Sequence, residues 1–300
     1  MNRATLRLQL LLLGTVLCYL TPLSAHGQHY QPAGTGSGFV TTADGVRIHY
    51  LEAGPRSPAA KAPAMLFVPG WTMPAEIWEA QIKYFAKTHR VVAMDPRSQG
   101  LSSQTSEGNY PEARARDIKA VVDQLKLAPA VLVGWSMGVA ELAAYVEQFG
   151  CDTVAGLVLV DGTAGWNLDP PSMQSIFEFG AGFQKNRREA AKSFVRGMYK
   201  KPQSEEYFDR ITRASLRVPT NTAIALLFGG LSGDHRPALA KVNKPTLIVA
   251  AAGPFTKNHE ETQRRISGSQ LKILDGVGHA LFVDEADKFN ALLEEFLKRL

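Results

Sequence analysis

Cysteine is almost missing. The 300 residues contain two, Cys18 and Cys151. Cys18 lies in an N-terminal apolar stretch, so a chain that loses this stretch keeps one thiol and cannot form an internal disulfide. Its stability must then come from an apolar core. Long basic runs are also missing. Arg187-Arg188 and Lys200-Lys201 are isolated pairs, suited to solvated helix faces, which argues against nucleic acid as a partner. No His, Cys, Asp or Glu cluster has metal-ligand spacing, and no glycine-rich loop follows a strand in the nucleotide pattern, so neither metal nor cofactor is expected. No period of roughly 20–50 residues recurs, which excludes a repeat array.

What is present reads as an ordinary globular enzyme: 45% hydrophobic and 20% charged residues. Only the first residues stand apart. Arg3 and Arg7 precede an apolar run over 8–20, followed by Thr21-Pro22-Leu23-Ser24-Ala25. This is the pattern of a secretory signal with cleavage after Ala25. The run is shorter than the roughly 20 residues of a spanning helix, so no stable membrane insertion is expected after its removal. Without Arg3 and Arg7 the formal charge of +5 falls by two, to +3. A periplasmic or secreted protein is expected, with residues 26–38, rich in Gly, Gln, Pro and Ser, as a flexible lead-in.

From residue 39 to 300 strand-like and helix-like segments alternate. Short apolar runs at 46–51, 64–68, 91–94, 131–133, 156–160, 246–251 and 271–274 suit strands buried on both faces of a parallel sheet. Helical patterns fall between them at 75–87, 111–127 and 139–149, and 286–300 closes the chain. The alternation predicts one α/β domain. The stretch 163–240 has no good strand run but many aromatic residues, among them Phe179, Phe183 and Phe194. Structureless loops of that length are uncommon in folded domains, so it is read as a helical cap inserted after the sixth strand.

Gly134-Trp135-Ser136-Met137-Gly138 matches G-x-S-x-G, between the run at 131–133 and the helical pattern from 139. A sharp strand-to-helix turn of this kind exposes a serine hydroxyl for nucleophilic attack, and the helix N-terminus adds partial positive charge beside it. His279 stands in a glycine-flanked loop between the last strand and last helix. There it can serve as general base. Among the other histidines, which include His235 and His259, His49 lies in a strand candidate and His89 just before one, so these two are read as structural or surface residues.

Here the chain resembles the α/β-hydrolase superfamily over roughly 39–300, and within it the arylesterase and cofactor-free haloperoxidase-like group. Phe67-Val68-Pro69-Gly70-Trp71 is similar to that family's His-Gly oxyanion loop, with Pro69 in place of histidine. Asp95-Pro96-Arg97-Ser98-Gln99-Gly100-Leu101-Ser102 resembles its D-x-R-G-x-G-x-S turn, with Ser98 for glycine. Gly278-His279 with Phe282, Glu285 and Phe289 resembles its terminal histidine loop. The resemblance implies a mostly parallel sheet flanked by helices. It also implies an oxyanion hole built from the backbone N–H groups of Trp71 and Met137.

The acid is the least regular member. The resemblance places it after the seventh strand, but Pro245–Pro254 carries no carboxylate at its end. Asp161, at the end of the run 156–160, is the leading candidate, and Glu260 and Glu261 are the alternatives. Asp95 is read as bracing its turn with Arg97, and Asp234 as closing the cap. The expected function is cleavage of small-molecule carboxylic esters by a Ser136–His279–Asp161 triad. Two readings stand beside it: perhydrolase or haloperoxidase-like activity of the same triad, and a catalytically silent small-molecule binder. Fluorophosphonate labelling separates the binder from the enzymes.

Overall fold

The computed structural model describes residues 30–56 and 62–300. The expected signal over 1–25 lies outside them. Among the described residues, eight strands form one sheet: β1 Gly36–Thr41, β2 Arg47–Ala53, β3 Ala64–Val68, β4 Val91–Met94, β5 Ala130–Trp135, β6 Val154–Val160, β7 Thr246–Ala251 and β8 Gln270–Leu274. Their order across the sheet is β1-β2-β4-β3-β5-β6-β7-β8. β1 and β2 pair antiparallel, as do β2 and β4, and every other pairing is parallel.

β1 takes in the end of the stretch read as a lead-in. It forms because the chain reverses through Thr42–Val46, where the Gly45 N–H reaches the Thr42 carbonyl at 3.0 Å, laying 36–41 along β2. The sequence GSGFVT has no apolar run to signal this; the pairing makes the strand.

The central strands are buried on both faces, and their side chains alternate between two cores. Phe67 of β3 and Val131, Val133 and Trp135 of β5 enter one core with Trp78, Phe282 and Phe289. Leu66, Val68 and Leu132 enter the other, with Ile118 and Val121 of α2 (Pro111–Gln124) and Leu142 and Tyr145 of α3 (Met137–Phe149). A buried ion pair, Arg114 to Glu141 at 2.6 Å, ties α2 to α3. Cys151 is a buried free thiol in the second core.

The remaining helices are α1 (Glu79–Phe85), α4 (Pro170–Lys185), α5 (Arg187–Gly197), α6 (Glu205–Leu216), α7 (Thr220–Ser232), α8 (Arg236–Leu239), α9 (Thr256–Arg265), α10 (Leu281–Asp284) and α11 (Ala286–Leu297). Five of them, α4 to α8, lie between β6 and β7. Their starts are written locally: the side chains of Asp169, Asn186 and Ser204 accept the amides of Ser172, Glu189 and Tyr207. A third small core, with Phe183, Ala191, Val218 and Leu226, joins these helices to Trp71. No helix among the described residues is long and apolar enough to cross a membrane.

One fold element carries a stability consequence. Glu76, in the 3₁₀ turn Ala75–Trp78, is largely buried at 4.0 Å from Arg210 of α6. Burial pushes its carboxyl up from 4.5 to about 7; Arg210 pulls the other way, and Asp95 and Glu79 add to the rise. Between those values the unfolded chain is ionised while the folded chain keeps the proton. Stability therefore falls as pH rises through that window and stays reduced above it. Glu76→Gln is expected to gain roughly 2–3 kcal/mol at pH 8 and little at pH 4.5. Urea midpoints at the two pH values test this, and a gain independent of pH contradicts it.

Candidate active site

The C-terminal ends of β5 and β6 and the loop after β8 converge on one point. Ser136 stands between β5 and α3 with φ 56° and ψ −118°. Its N–H is held by the Val160 carbonyl at 2.9 Å, and its own carbonyl accepts the Val139 N–H at 3.0 Å. This left-handed geometry costs energy for a residue with a Cβ, and the surrounding strand and helix hold it. The turn also brings α3 against β3. A Cβ on Gly138 would lie 2.8 Å from the Val68 carbonyl oxygen, so a side chain is excluded there.

His279 reaches this serine from the loop between β8 and α10. Its Nε2 lies 2.8 Å from Ser136 Oγ, and its Nδ1 lies 2.7 Å from Asp161 Oδ2. The loop is pinned at several points. Trp135 Nε1 donates to the His279 carbonyl at 2.9 Å. The Gly278 N–H donates to Asp284 Oδ2 at 2.7 Å, and the same carboxylate accepts the Lys200 N–H at 2.8 Å. Asp284 thus couples the histidine loop to the chain between α5 and α6. Nothing in the sequence pattern marked this role.

Asp161 follows β6 with φ 41°, its N–H bound to the Val249 carbonyl at 2.9 Å. Its Oδ1 accepts the Ala251 N–H at 2.9 Å. Burial alone would push this carboxyl up. Hydrogen bonds from His259, His279 and the Ala251 amide outweigh burial and hold it well below the usual carboxylate range. The alternatives do not arrive here: Glu260 is exposed, and Glu261 pairs with Arg265 at 2.6 Å.

The other singled-out residues are accounted for. Asp95 does not pair with Arg97. It accepts Ala75 N–H at 2.6 Å and Leu101 N–H at 2.8 Å and bonds His49 Nδ1 at 2.7 Å. Arg97 instead grips Asp117 of α2 with two nitrogens and also meets Asp44. Asp95 thus holds the turn together through backbone amides, and the sequential neighbour Arg97 points to a different element. Asp234 does pair with Arg236, at 2.7 Å, and the adjacent His235 N–H meets the Ala164 carbonyl at 2.8 Å, closing the excursion from β6 to β7. His235 bonds Glu147, and His89 bonds Thr88. His259, to which the sequence pattern assigned no role, is buried beside Asp161.

Ser136, His279 and Asp161 open onto a cavity of about 460 Å³. Its wall includes Trp71, Met137, Phe179, Phe194, Leu227 and Phe255, an apolar and aromatic surface of the kind that holds small organic ligands. Trp71 is fixed by its indole N–H, which donates to the Ala223 carbonyl of α7 at 2.7 Å. Met137 is the first residue of α3, so its amide has no acceptor within the helix. Among the described residues, no group of His, Cys, Asp and Glu is placed to hold a metal ion.

The sequence matches the α/β hydrolase family over residues 65–292. This chain belongs to the α/β hydrolase family. A bifunctional esterase/perhydrolase, DCH, of Acinetobacter calcoaceticus is 30% identical over 284 residues, which cover 87% of this hydrolase and 99% of that protein. A non-heme chloroperoxidase of Burkholderia pyrrocinia is 28% identical over 284 residues, with the same two coverages of 87% and 99%. Among solved structures, a bromoperoxidase from Bacillus anthracis superposes with a TM-score of 0.81 at 23% identity, covering 88% of this chain and 100% of that one. An esterase from Exiguobacterium antarcticum gives 0.79 at 24% identity, covering 87% and 98%. At those identities the structural likeness speaks for the fold.

Proposed function

We propose that this hydrolase cleaves small to medium carboxylic esters through an acyl intermediate on Ser136. The observation that carries the reading is the hydrogen-bonded line Ser136–His279–Asp161 opening onto an apolar cavity. In the first half-reaction, Ser136 Oγ attacks the ester carbonyl while its proton passes to His279 Nε2. The carbonyl oxygen becomes an oxyanion, with the backbone N–H groups of Trp71 and Met137 as its donors. Asp161 keeps the His279 Nδ1–H in place and stabilises the imidazolium. His279 then protonates the leaving alkoxide, and the alcohol departs. Water repeats the cycle on the acyl-serine and releases the acid.

An activated acyl-serine can also be attacked by hydrogen peroxide, giving a peracid. The relative named as an esterase/perhydrolase supports this second reading. The silent-binder reading drew on the carboxylate missing after β7; the hydrogen bond from the end of β6 between Asp161 and His279 weighs against it. The helices α4–α8 supply Phe179, Phe194 and Leu227 to the cavity wall, which supports their role as a cap that selects the acyl group. Residues 1–25 are proposed to direct export; N-terminal sequencing of the exported protein checks the cut after Ala25.

A panel of p-nitrophenyl esters of rising acyl length tests the main reading, with and without peroxide. Turnover that peaks at short or medium acyl groups is expected; absence of turnover on every ester would overturn it.

The oxyanion loop gives a sharper test. A Cβ on Gly70 would lie 2.8 Å from Ser136 Cβ and 3.3 Å from its Oγ. Gly70→Ala is expected to lower kcat/KM by about 100-fold or more in a folded protein, because it displaces the serine or the Trp71 amide. Near-normal kcat/KM, with unchanged circular dichroism, would mean that this loop does not fix a donor.

A further inference from the structure

The two oxygens of Asp161 have three nitrogens within 3.3 Å. Oδ2 meets His279 Nδ1 at 2.7 Å, and Oδ1 accepts the Ala251 N–H at 2.9 Å. The third group is Nε2 of His259, in the first turns of α9, 3.3 Å from Oδ1. His259 is 3% exposed, and its other ring nitrogen, Nδ1, is buried without a partner. A neutral imidazole carries one N–H and one bare nitrogen. With a carboxylate oxygen 3.3 Å from Nε2 and no partner at Nδ1, these surroundings favour the tautomer with its proton on Nε2, which can donate to the carboxylate.

We propose that His259 is a positioning residue for the acyl transfer. Its Nε2–H, together with the Ala251 amide, fixes the plane of the Asp161 carboxylate so that Oδ2 stays in line with His279 Nδ1. A carboxylate can rotate about its last side-chain bond, and this torsion is soft. One donor on Oδ1 leaves freedom to turn; two donors from different elements, β7 and α9, remove it. His259 also lines the cavity, but its polar nitrogen is spent on Asp161, so it acts on the reaction through that residue. The inference rests on the ester-hydrolase reading above.

The bland alternative is a histidine that merely fills space under α9. His259→Leu fills that space without a donor, and His259→Gln restores an N–H near the position of Nε2. With kcat counted per fluorophosphonate-reactive site, His259→Leu is expected to lower kcat about 10–100-fold with KM within about threefold. His259→Gln is expected to recover most of that loss. The low-field resonance of the His279 Nδ1 proton should shift in the leucine variant and return in the glutamine one. Equal impairment of both variants with an unmoved resonance, or a leucine variant of near-normal kcat, overturns the proposal. If the leucine variant does not fold, ¹⁵N shifts of the unsubstituted protein decide: a proton on His259 Nε2 supports the proposal, and one on Nδ1 overturns it. Asp161→Asn is measured alongside. If it too is harmless, the triad reading has failed; if it is crippling while His259→Leu is harmless, only this proposal has.

Discussion

Ser136→Ala is expected to lower kcat on an activated ester by about five to six orders of magnitude while the protein stays folded. Serine triads act as a unit, and deleting the nucleophile alone removes nearly all of their contribution. The remaining rate enhancement, about 10³–10⁴ over water, comes from the oxyanion donors and from binding. The substitution keeps the Cβ, so the turn at φ 56° is neither relieved nor worsened. The backbone bonds of residue 136 to Val160 and Val139 are also kept. Thermal unfolding should therefore be little changed. Pre-steady-state release of p-nitrophenolate checks the result: the unsubstituted enzyme should show a burst or full turnover, the variant neither. More than a tenth of the activity in the folded variant would remove Ser136 from the mechanism.

Asp161→Asn is expected to cost about 10⁴ in kcat, the loss seen when the comparable aspartate of a serine protease is changed. The surroundings of Asp161 say why. The Ala251 N–H donates to Oδ1, so a carboxamide places its oxygen there and turns its NH₂ toward His279. His279 Nδ1 must then accept a hydrogen bond instead of donating one. That forces the proton onto Nε2, the atom facing Ser136 at 2.8 Å, and the base is in the wrong tautomer. Glu260→Gln and Glu261→Gln should change kcat less than about twofold, because neither side chain approaches His279; surface changes of this kind are nearly neutral. Steady-state kcat for the three variants, with circular dichroism as the fold check, decides the assignment. A near-normal Asp161→Asn would contradict it.

The candidate site was legible where its elements are contiguous in the chain. G-x-S-x-G between an apolar run and a helical pattern names Ser136, because the strand, turn and helix are contiguous in the chain. His279 was readable for the same reason, as a glycine-flanked histidine between the last strand and the last helix. Asp161 was harder: its partners Ala251 and His279 are 90 and 118 residues away. The order of the strands places them side by side, and no spacing rule reports that. The position of His259 was not legible for the same reason, since it depends on how α9 packs beside β7 and β8 and so reaches Asp161. The expected brace between Asp95 and Arg97 failed on direction, since their side chains leave the turn toward different elements. β1 was missed because an edge strand with little apolar content owes its form to its neighbour.

The most direct test of the central claim is stoichiometric modification by a fluorophosphonate, followed by intact mass measurement and peptide mapping. The expected result is one phosphonyl group per chain, on Ser136, with ester hydrolysis lost in proportion to labelling. Labelling and activity should both vanish in Ser136→Ala. Fully labelled protein that still hydrolyses esters, or an adduct on another residue that accounts for the lost activity, would contradict the acyl-Ser136 mechanism.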